Sequence, residues 1–193
     1  MKFIFAILLL FVVLAGCQKK TVPSNLIPVT VAKEVDGDTI HVTMPNGKDE
    51  DVRMLLIDTP EDVDPYKPVE PYGTKAAAFA EKVLPVGKHI YIEEGEKGHK
   101  RGKYDRLLAY VYINPHEMYN VDVVKKGLAR VAYVYPPNTQ HLDKLKAAQK
   151  YAKNHDLGIW SIPGYVSPDG YNLDYACKWA AEHGYATHGC DDR

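Results

Sequence analysis

The feature that most limits the fold is a succession of short segments rich in β-branched residues, too closely spaced to be anything but strands. Ile27 to Ala32, Thr39 to Met44 and Asp51 to Ile57 follow one another directly. Pro45-Asn46-Gly47, between the second and third, has the chemistry of a hairpin turn. Two further strands are predicted at Lys88 to Glu94 and Leu107 to Ile113, parted by the glycine- and lysine-rich loop Gly95 to Tyr104. Helical patterns occupy Tyr72 to Leu84, closed by Pro85, and Val121 to Leu128, with Gly127 near its end. A third runs from Asn138 to His155. Asn138 or Thr139 would cap it, Leu142, Leu145, Ala148, Tyr151 and Ala152 would form its apolar stripe, and Gly158 would end it. Five strands with helices after the third and fifth predict an α+β fold, a five-stranded OB-fold β-barrel with three helices. Closure into a barrel also removes edges that so small a sheet could not otherwise protect.

The barrel domain spans residues 26–160. Ahead of it, Lys2 and the apolar run Phe3 to Val13 have the form of a signal peptide, too short to cross a bilayer comfortably. The run ends in Leu14-Ala15-Gly16-Cys17, which resembles a bacterial lipobox. The expectation is cleavage after residue 16, lipid on Cys17, and a polar tether over 17–25. The chain would then be exported and held on the outer side of the cell membrane, with plain secretion as the alternative. Residues 161–193 form a C-terminal extension broken by Pro163, Gly164, Pro168 and Gly170, with helical pattern only from Tyr175 to Glu182. With Cys17 lipidated, Cys177 and Cys190 remain, and a disulfide is the economical reading in an oxidising compartment. Two free thiols, or a metal shared with His183 and His188, are the alternatives, although the spacing matches no zinc pattern. The formal charge of −1 excludes a general polyanion coater, whose affinity rests on phosphate neutralisation. Nucleic acid would have to be handled by a local site and a metal.

The chemistry is concentrated in a few places. Asp38 and Asp58 flank strands that pairing can bring together. Two close carboxylates repel unless a cation or a shared proton intervenes, and hard oxygen donors favour Ca²⁺ or Mg²⁺. Arg53 interrupts an apolar strand, where a guanidinium either meets a carboxylate or waits for an anion, and its planar fork suits phosphate. Glu61 lies three residues beyond Asp58, across Pro60, within reach of the same metal as a base for water. Arg106 opens the last strand. Tyr133 and Tyr135 occupy alternate positions suited to stacking a base.

In this order the segments resemble the staphylococcal nuclease (thermonuclease) family. They are Val35-Asp36-Gly37-Asp38-Thr39, Arg53 to Glu61, Lys103-Tyr104-Asp105-Arg106, Gly127-Leu128-Ala129 with Val131 to Tyr135, and Gly158-Ile159-Trp160. The likeness runs from about Pro28 to Trp160. It implies a calcium-dependent endonuclease that acts as a monomer on DNA and RNA, preferring single strands and leaving 3′-phosphates. By motif position Asp38, Asp58 and the carbonyl of Thr59 would hold Ca²⁺. Arg53, Glu61 and Arg106 would be catalytic, and Lys103, Tyr104, Tyr133 and Tyr135 would face the substrate. The chain departs from the family at Asp105, where glycine is usual, and at Gly102, where an acid is usual. An OB barrel can also serve as a binding module alone, but Asp38, Asp58, Glu61 and both arginines together favour catalysis.

Overall fold

The structure is a computed structural model and describes residues 22–190. The expected signal peptide, Cys17 and the start of the tether lie outside the described residues. In chain order the elements are β1 (Ile27–Glu34), β2 (Thr39–Thr43), β3 (Asp49–Met54), β4 (Ile57–Asp58), α1 (Gly73–Val83), β5 (His89–Glu94), β6 (Leu107–Asn114), β7 (Glu117–Met118), α2 (Tyr119–Lys125), β8 (Arg130–Val131), α3 (Leu142–Asn154), β9 (Val166–Ser167), β10 (Gly170–Tyr171) and α4 (Leu173–His183). A 3-10 turn covers Gly158–Ser161.

The sheet runs β3-β2-β1-β5-β6, and a parallel pairing of β3 with β6 closes it into the five-stranded barrel expected. Alternation along each strand fills the interior: Ile40, Val42, Val52, Ile90, Ile92 and Ala109 are fully buried. Two registers set the position of Arg53 on the opposite face of β3. Antiparallel pairing places it across from Thr39, which follows Asp38, and the closing pairing places it beside Leu108, two residues after Arg106. Barrel closure therefore brings residues from three strands to one rim.

Several boundaries differ from the sequence pattern, four elements most informatively. The third strand does not run to Ile57; it stops at Met54 because Leu56 takes a left-handed φ of 62°. Asn120, fully buried, secures that break by donating to Leu55 O and accepting from Val111 N. Ile57 and Asp58 resume as β4 and pair with β8. The second helix covers Tyr119–Lys125 rather than 121–128, and Gly127 turns the chain at φ 69°. The third helix begins at Leu142, not Asn138, and has no side-chain cap. Asn138 instead ties two loops together, accepting from Glu96 N and donating to His99 O. The tail helix is longer than its pattern, reaching Leu173–His183, since Asn172 caps it and Gly184 ends it in the left-handed region.

A second core joins the extension to the barrel domain. Ile159, Tyr165 and Ala176 are fully buried, and Tyr72, Trp160, Tyr171 and Leu173 pack around them. Cys177 and Cys190 are joined as a disulfide, their Cα atoms 5.8 Å apart. Among the described residues no helix is long and apolar enough to cross a membrane.

Candidate active site

The rim site starts at the turn before β2. Asp36 Oδ1 accepts from Asp38 N at 2.8 Å, bending the chain so that Asp38 is buried beneath the cleft. Gly37 is required by packing: a Cβ there would sit 2.8 Å from both Ala76 Cβ and Thr59 Cγ2. Its carbonyl accepts from the buried Tyr119 hydroxyl at 2.7 Å. Asp38 Oδ2 accepts from Thr59 N (2.9 Å) and Thr59 Oγ1 (3.1 Å), which fixes the β4 end against the β2 turn.

Arg53 lies between the two expected metal carboxylates. Its Nε is 3.2 Å from Asp38 Oδ1 and its Nη2 is 3.9 Å from Asp58 Oδ1. Nη1 donates to Met54 O and Ile57 O, carbonyls made available by the strand break. The Tyr133 ring covers the guanidinium, with 5.3 Å between Cζ and the ring centroid. Glu61 folds onto its own loop: Oε1 accepts from the amides of Asp62, Val63 and Asp64, and Oε2 is 3.8 Å from Lys67 Nζ. Arg106 makes no ion pair among the described residues, and its guanidinium is 5.8 Å from the Tyr104 ring centroid. Asp105 does not divert it; it sits at φ 59°, which aspartate tolerates in place of glycine, and its carbonyl accepts from Arg101.

These groups line one cleft of about 480 Å³, whose wall includes Asp38, Asp58, Thr59, Glu61, Arg53 and Arg106. An adjoining cleft of about 340 Å³ carries Lys103, Tyr104, Tyr133 and Tyr135 beside Leu55 and Leu56. Tyr104 and Tyr135 are each 71% exposed and Tyr133 is 51% exposed, so these rings are open to a ligand rather than used to fill a core. All ten expected site residues of the barrel thus border two contiguous hollows.

The carboxylates exceed the cations that face them. Burial, then the charge of Asp38, pushes the Asp58 carboxyl above its usual range. The same two causes push Asp36 up to about 7. Carboxylates gathered this closely, offering oxygen donors alone, suit a hard divalent cation. No three Asp, Glu, His or Cys side chains among the described residues form a ready cage. Asp38, Asp58 and a carbonyl would have to be completed by water, which suits the adaptable shell of Ca²⁺.

Sequence reasoning missed several participants. Arg130, buried, donates from Nε to Asp58 Oδ2 at 2.8 Å. Its only signal was a lone arginine in the apolar run Leu128 to Ala132. Glu70 Oε2 accepts from Glu61 N at 2.7 Å, and Glu70 N donates to Glu61 O, closing the intervening loop. Tyr171, far along the chain, donates to Asp58 O at 2.7 Å. No local pattern marked either residue.

Fold and site together define an OB-type barrel with a carboxylate–arginine cleft and an aromatic shelf at its rim. The chain belongs to the staphylococcal nuclease homologue family, whose profile matches residues 51–162. It is 43% identical over 158 residues to endonuclease YncB of Bacillus subtilis (strain 168), covering 82% of this chain and 73% of the relative. It is 47% identical over 148 residues to the SPbeta prophage-derived endonuclease YokF of the same organism, spanning 77% of this chain but only 49% of that protein's length. The thermonuclease of Staphylococcus intermedius is 42% identical over 130 residues, 67% of this chain and 74% of the relative.

Proposed function

We propose that this chain is a calcium-dependent nuclease that hydrolyses phosphodiester bonds in DNA and RNA, cutting within single strands and leaving 3′-phosphate ends. The observation that carries the reading is Arg53 held between Asp38 and Asp58, in a cleft it shares with Glu61 and Arg106. Membership of the nuclease family and relatives called endonucleases and thermonuclease support it.

Asp38, Asp58 and the Thr59 carbonyl would hold the cation. When bound, Ca²⁺ would polarise a phosphoryl oxygen and offset the charge that develops on it. The protein's own groups do the rest. Glu61, held in place by three loop amides, accepts a proton from the attacking water. Arg53 Nε and Nη2 now face carboxylate oxygens, and a phosphate competes for those same two donors. Arg106, without a carboxylate partner among the described residues, meets the phosphate from the other wall. Two guanidinium groups aimed at developing charge act as preorganised electrostatic stabilisers. Tyr104, Tyr133 and Tyr135 stack bases without reading their edges, which accounts for weak sequence preference and for favouring unpaired strands.

The test is digestion of denatured DNA with calcium and with EGTA, followed by end-group analysis. Arg53→Ala, Glu61→Ala and Arg106→Ala should each lower kcat by about 10²–10³. Near-wild-type turnover in all three would leave a barrel that binds without cutting.

Export with lipid on Cys17 is part of the same proposal, supported by the lipobox-like Leu14-Ala15-Gly16-Cys17. Palmitate labelling that survives Cys17→Ser would refute it.

A further inference from the structure

From the way residues 165–190 grip the segment between Asp58 and Pro71, we infer that the C-terminal extension is a positioning clamp for the loop that carries Glu61 and Lys67. The inference rests on the nuclease reading above and extends it to residues beyond the family match.

The loop is held at three places. At its start, the Tyr171 hydroxyl donates to Asp58 O at 2.7 Å. Arg130 bridges the Asp58 carboxylate (2.8 Å) to the carbonyl of Pro168 (3.2 Å). At its end, the buried Tyr165 hydroxyl donates to Pro71 O at 3.3 Å. In the middle, Val69 N donates to Ala186 O at 3.1 Å, and Pro68 bridges to Thr187. Gly189 lies so close to Tyr66 that a Cβ on it would be 2.4 Å from the Tyr66 carbonyl oxygen.

Among the described residues the loop has no strand or helix of its own, and its internal ties centre on Glu70 and Glu61. Residues 186–190 are likewise without helix. The Cys177–Cys190 disulfide ties their end to α4, and α4 packs through Ala176 on the core of Ile159 and Tyr165. Position therefore passes from that core, through α4 and the disulfide, to Val69, and separately through Tyr171 and Pro168 to Asp58. Lost segmental order would be felt as misplaced Asp58 and Glu61, because small displacements of catalytic groups cost rate.

Wild type, Tyr171→Phe and the double variant Cys177→Ser/Cys190→Ser would be compared by amide hydrogen exchange, and by kcat, KM and half-saturating calcium on denatured DNA. In the double variant the Val69 amide should exchange at least about tenfold faster while barrel-strand amides keep their protection, as local opening predicts. In Tyr171→Phe half-saturating calcium should rise by about fivefold, the equivalent of one lost hydrogen bond at Asp58. In both variants kcat should fall more than KM changes. Unchanged Val69 protection, or loss spread evenly over the barrel, would overturn the clamp. A wild-type chain without nuclease activity would instead overturn the nuclease reading, and the exchange data would still decide whether the extension orders the loop.

Discussion

Arg53 illustrates how one side chain can be over-determined. Four of its contacts are fixed by backbone choices made elsewhere: two carbonyls exposed by the strand break, and two carboxylates delivered by the β2 turn and by β4. A lysine has neither the planar fork nor the reach to serve all of them. Arg53→Lys should therefore lower kcat by about 10²-fold with a folded barrel, measured by steady-state hydrolysis beside circular dichroism. Asn120 makes the complementary case for stability. It is wholly buried and satisfies one backbone donor and one backbone acceptor behind the break. Asn120→Ala should cost about 2–6 kcal/mol in urea denaturation, since it orphans two buried groups at about 1–3 kcal/mol each.

At the scale of elements, the helices act through their ends. The turn after α2 meets the 3-10 turn backbone to backbone: a Cβ on Gly127 would lie 2.1 Å from Leu157 O, and one on Gly158 would lie 2.0 Å from Gly127 O. Ile159 N donates to Gly127 O across this contact at 2.8 Å. Gly127→Ala would face both a left-handed φ and a backbone collision, and should lose more than the roughly 1–3 kcal/mol of strained φ alone. Thermal unfolding would show it, and a melting point equal to wild type would contradict the packing described. The late start of α3 has a similar cause. Asn138 is committed to Glu96 and His99, the loop that leads to Arg106, and so does not cap a helix.

For the molecule as a whole, acidic groups around the cleft make stability depend on pH. Burial, ahead of all other causes, pushes Glu70 up to about 7. An unfolded glutamate loses its proton near 4.5, so between about 4.5 and 7 the folded chain binds more protons and stability falls as pH rises. Below that window the group is protonated in both states and contributes nothing to the slope. Glu70→Gln keeps an oxygen for Glu61 N and carries no charge. It should flatten stability across this window, with a gain at pH 7.5 of roughly 2–3 kcal/mol, measured by urea denaturation in EGTA. An unchanged pH profile would mean that Glu70 is not held protonated by burial.

Much of this was present in the order of residues. Strand placement followed from short β-branched segments and turn chemistry, because side-chain alternation and Pro-Asn-Gly act locally. The barrel followed because five such strands have few other ways to hide their edges. Arg53 stood out because a lone arginine in an apolar strand is costly without a partner, whereas Asp38, Asp58, Glu61 and Arg106 took their meaning from motif order and the family resemblance. What only the tertiary structure decided is where long-range contacts overrule local preference: the break at Leu55-Leu56 secured by Asn120, the diversion of Asn138, the pairing of Arg130 with Asp58, and the reach of Tyr171 to the Asp58 carbonyl. Such bonds join residues up to 113 positions apart, and no periodicity within one segment can encode them.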